Sequence, residues 1–86
     1  MTVNELRQER QALLRDMKQA QSKDELETVF EMLESNTRAL TKQIILDYAQ
    51  DLKVKRANAE LPIDKICITD KIIASYEIIE LLEKEI

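Results

Sequence analysis

Residues 22–58 read SKDELETVFEMLESNTRALTKQIILDYAQDLKVKRAN, and the fold turns on whether this run is one helix or two. It opens on Ser22-Lys23-Asp24-Glu25, a capping box whose hydroxyl and carboxylate satisfy backbone N–H groups orphaned at a helix start. Leu26, Phe30, Leu33, Thr37, Leu40, Ile44, Tyr48 and Leu52 then recur at threes and fours, the helical period. A break fits only near 35–37, where Asn36 can adopt a left-handed cap and Ser35 can start a new helix. The stripe keeps its phase through that point. The reading is therefore one helix over residues 23–58, about 54 Å long at 1.5 Å per residue.

Upstream, Thr2-Val3-Asn4-Glu5 is a second capping box and predicts a short first helix. Leu6, Leu13, Met17 and Ala20 share one face of it, with Val3 and Leu14 beside them and the stem of Arg10 laid along the seam. Downstream, Pro62 lacks an N–H and pushes Leu61 out of the helical region, so the long helix ends before it. The β-branched run Ile66-Cys67-Ile68-Thr69 predicts an irregular connector over 59–68, and Thr69 or Asp70 caps a C-terminal helix over 69–86. That helix gathers Ile72, Tyr76, Ile79, Leu82 and Ile86 on one face, widened by Ile78 to an arc of about 160°. One neighbouring helix covers an arc nearer 100°. The fold class is all-α, an antiparallel helical hairpin bundle in a single helical domain over 1–86.

Charge supports the hairpins. Residues 1–23 carry +2, 24–35 carry −5, 36–59 carry +3 and 60–86 carry −4. This alternation predicts that the first helix folds back over the acidic half of the long helix, and the last helix over its basic half. Exposed ion pairs are worth only tenths of a kcal/mol, so they choose the partner while apolar seams stabilise it.

What is missing narrows the function. The chain has no glycine and no histidine. Glycine allows the close backbone approach of phosphate cradles, and histidine is the commonest general base and metal ligand near neutral pH. Cys67 is the one cysteine, and without a histidine to activate it the expected role is a small buried hydrophobe. Glu27, Glu31 and Glu34 share a helix face but lack the Glu-x-x-His partners of bundle metal sites, so they read as a solvated face. Residues 4–17 resemble the opening of the small all-helical chorismate mutases. That family's first helix is longer and its downstream Arg/Lys spacing is unmatched here, so the chain is not assigned to it. No catalytic residue, cofactor, metal or small-molecule substrate is expected.

The expected function is a non-catalytic protein–protein interaction module: a regulator, inhibitor, antitoxin- or immunity-like protein, or assembly adaptor. Its partner is another protein or a second copy, as a homodimer. The candidate surface is the C-terminal helix, through Ile73, Tyr76, Ile78, Leu81 and Leu82. The alternative is a nucleic-acid-binding hairpin using Arg7, Arg10, Arg15 and Lys18, or Lys53, Lys55 and Arg56. The net charge of −4 argues against nucleic acid. Glu5, Arg7, Glu9 and Arg10 leave no apolar leader, no run suits a bilayer, and the unpaired cysteine fits a reducing compartment, so a cytoplasmic location is expected.

Overall fold

The structure, a computed structural model, describes residues 1–84. Three helices account for nearly all of them: α1 (Val3–Gln19), α2 (Lys23–Asn58) and α3 (Pro62–Lys84). Helix α1 packs on α2 and α2 on α3, giving an all-α hairpin bundle. The chain divides into two compact units, residues 1–43 and 44–86.

In the first unit the hydroxyl half of each capping box is made. The Thr2 hydroxyl accepts from the Glu5 N–H at 3.2 Å and donates to the Glu5 carboxylate at 3.1 Å. Ser22 Oγ accepts from the Glu25 N–H at 3.1 Å, and the Glu25 carboxylate reaches back to the Gln21 N–H at 3.0 Å. Between the helices, Ala20 turns the chain in an extended conformation (φ −62°, ψ 129°). No described residue has positive φ, so this turn needs no glycine.

Helix α2 runs unbroken through Ser35-Asn36-Thr37. The reason is tertiary. Asn36 is buried, and its Nδ2 donates to the Leu6 carbonyl at 3.0 Å and to Glu9 Oε1 at 3.1 Å. The amide therefore joins α2 to α1 instead of capping a helix end. This moves the buried face one residue from the expected stripe. Leu40 and Asn36 are buried and Leu26, Val29 and Leu33 half-buried, while Phe30 and Thr37 are exposed. On α1, Leu6 and Leu13 are buried and Met17 is half-buried, as their spacing requires. Arg10 is exposed rather than laid in the seam.

In the second unit the expected connector over 59–68 is corrected. Only residues 59–61 lie between the helices, because Pro62 is the first residue of α3. Proline suits that position, since its missing N–H has no intrahelical acceptor there and its fixed φ is already helical. Asp64 adds a carboxylate to the first turn, favourable to the helix dipole. The start expected at residue 69 is likewise replaced. Thr69 is interior to α3, where its hydroxyl donates to the Lys65 carbonyl one turn back at 2.7 Å. The last two residues of the expected 69–86 helix, including Ile86, lie outside the described residues.

The buried residues of this unit are Ala49 and Leu52 from α2 with Ile72, Ser75 and Ile79 from α3. Ala49 and Ser75 are small, which lets two helix backbones approach closely. Ile44, Tyr48 and Tyr76, expected on the seams, are 44%, 51% and 41% exposed. Charged contacts among the described residues include some within a helix and one across the α2–α3 seam. Lys23–Glu27 (4.0 Å) and Glu80–Lys84 (3.5 Å) run along helices, while Lys53 Nζ crosses to α3 by lying 5.1 Å from the Tyr76 ring centre.

Two outcomes follow. Ile66→Pro should cost about 3 kcal/mol or more in a urea melt, because it breaks an interior turn of α3; an extended connector would tolerate it. Asn36→Asp should cost about 2–4 kcal/mol by the same measurement, because it sets a buried carboxylate against the Leu6 carbonyl and Glu9. Stability equal to the parent would remove Asn36 from the α1–α2 contact.

Candidate interaction surfaces

The polar chemistry of the described residues is that of surfaces. A groove of about 500 Å³ is open to solvent beside the α1–α2 turn, where Asp16, Asp24 and Glu25 line it. Two others, of about 490 and 300 Å³, are equally open. Three or more metal-ligating side chains do not converge anywhere among the described residues. No helix among them is long and apolar enough to cross a membrane.

Helix α3 carries the apolar surface. Its inner face, Ile72, Ser75 and Ile79, is used against α2. Wound at 100° per residue, Ile63, Cys67, Ala74, Ile78 and Leu81 fall within about 60° of one another on the opposite side, with Ile66 and Ile73 on its flank. Ile63, Ile66, Ile73, Ile78 and Leu81 are 67%, 62%, 51%, 47% and 61% exposed. The five residues expected to form one binding surface therefore separate. Ile73, Ile78 and Leu81 face outward, Leu82 is half-buried on the inner side, and Tyr76 stands at the edge under Lys53. Ile63 and Ile66 join this side because α3 begins at Pro62, which extends the helical spacing through the residues expected to form a connector.

Cys67 is exposed on this outer side, which corrects its expected burial. Its neighbours in sequence, Ile66 and Ile68, suggest a core. Helical geometry sends it outward instead, five residues before the buried Ile72.

The basic residues form two unlike groups. On α1, Arg7, Arg10, Arg15 and Lys18 are all exposed and gather on one side, whereas Glu5, Glu9 and Asp16 gather on the other. None of the four cations has an ion-pair partner among the described residues. On α2, Lys53 is half-buried over Tyr76, and Lys55 and Arg56 lie in the last turn, where they complement the helix dipole. Only the α1 group makes a continuous basic face. No protein-family model, curated protein or solved structure matches this chain.

The exposure of Cys67 has a direct readout. A thiol-reactive dye should label the folded protein at a rate within about tenfold of the urea-unfolded chain, as expected for an accessible thiol. Protection by several orders of magnitude would place Cys67 in a covered contact.

Proposed function

We propose that the protein is a non-catalytic interaction module that binds another protein through the outer side of α3. The observation that carries this reading is the exposure of Ile63, Ile66, Ile73, Ile78 and Leu81 on a helix whose other side is already packed. A helix whose large apolar side chains extend beyond its packed face carries more apolar surface than one neighbouring helix covers. Seven apolar side chains are buried among the described residues, against fourteen large ones that are exposed. An exposed apolar surface on that scale marks a place where a partner docks. Regulator, inhibitor, antitoxin- or immunity-like and adaptor roles all use such a surface, and a cytoplasmic setting suits the free thiol.

A nucleic-acid-binding hairpin is the second reading, favoured by the basic face of α1 alone. It predicts a gel-shifted complex whose affinity falls steeply with salt as counterions are released.

The test is a comparison of the wild type with the Ile78→Asp, Leu81→Asp double variant as baits in lysate of the source cell. Circular dichroism should show unchanged helicity, because both positions are outside the buried seam. A protein retained by the wild type at micromolar bait should be lost from the variant, an affinity drop of at least about tenfold for two buried aliphatic side chains. Identical capture by the two baits would exclude the outer side of α3.

A further inference from the structure

The basic face of α1 has a complement within this same sequence. On α1, Arg7, Arg10, Leu14 and Lys18 follow one another at steps of three, four and four, which keeps them within about 80° on one side of the helix. On α3, Glu80, Glu77, Ile73 and Asp70, taken backwards, follow at three, four and three, again within about 80°. Laid antiparallel, the two rows agree over their first two steps, setting Arg7 against Glu80, Arg10 against Glu77 and Leu14 against Ile73, and the third step brings Lys18 within one residue of Asp70. The rows are about 16 and 15 Å long, so the offset along the contact is about one residue.

Among the described residues both rows are exposed. Leu14 is 39% exposed and Ile73 51% exposed, and the three acids are exposed as well. Glu80 pairs only with Lys84 on its own helix, in an exposed contact of the kind that is readily exchanged.

We infer that the occupant of both rows is a second copy of this chain, with α1 of one copy antiparallel to α3 of the other. Charge reads the register and direction, and the Leu14–Ile73 contact is the apolar point at its centre. Opposite charge selects this partner over a parallel one, which would set Arg7 and Arg10 against Asp70 and Ile73 and leave Glu80 facing Lys18 alone. The inference rests on the interaction role proposed above and names the partner.

Sedimentation equilibrium of the purified full chain tests it with two charge-reversed variants, Arg7→Glu with Arg10→Glu, and Glu77→Arg with Glu80→Arg. The wild type should self-associate, more weakly at about 500 mM than at about 50 mM salt. Each variant alone should associate at least about tenfold more weakly, since two of the three charged pairs then set like charges against each other. Mixed in equal amounts, the two should associate with each other, because every reversed row meets an opposite one. A monomeric wild type, or variants that self-associate like the wild type, would overturn the inference. So would mixing without recovery when both variants keep wild-type helicity. Both variants retain Ile78 and Leu81, so a monomeric wild type that still captures a foreign protein through those residues sinks this inference and leaves the earlier reading standing.

Discussion

The Asn36 amide is the contact on which the first hairpin depends. It reaches the Leu6 carbonyl across thirty residues of sequence, and that oxygen lies on the buried side of α1. Apolar contacts between two helices are tolerant of slippage, because leucine against leucine is nearly as good one turn away. A hydrogen bond inside the seam is not, since moving it strands a polar group out of water. One side of the amide is left short: Oδ1 is buried with no partner among the described residues. The arrangement gives up some stability and gains a single register, as a polar seam residue does in coiled coils. With α1 fixed in this way, the sides of α1 that remain outside are fixed too, and so is the segregation of its basic and acidic edges.

The turns show how a chain without glycine closes two hairpins. At residues 20–22 the work is done by an extended alanine and a capping box, and at 59–62 by a proline that opens the next helix. Hydroxyls inside the helices, Thr28, Thr41, Thr69 and Ser75, turn back to the carbonyl four residues earlier. They are satisfied locally, Ser75 within the α2–α3 seam itself.

Much of the architecture was legible because capping boxes and the helical period are local signals. Thr2, Ser22, Leu6, Leu13, Leu40 and Leu52 all sit where those signals put them. Where the structure departs from these signals, tertiary contact is the cause. The helical period places Thr37 in the α2 stripe, whereas the buried polar residue is Asn36. It places Tyr76 on the inner face of α3, whereas Ser75 is the residue buried there. Pro62 was read as a terminator, and the isoleucines after it as extended chain, although proline is as good a beginning as an end. The outward side of α3 was only partly visible for that reason. The basic face of α1 needed no structure beyond the helix itself, but its isolation from ion-pair partners did.

The local closure of the hairpins also bears on how the molecule forms. Thirty residues separate Asn36 from Leu6, and each unit draws its core from residues within one half of the chain. Contacts that are close in sequence need little loop-closure entropy before they are rewarded. Helical proteins built this way reach the native state in microseconds to milliseconds. A chain so quick to order gives its exposed isoleucines little time in an unfolded ensemble, where they would otherwise find one another without register.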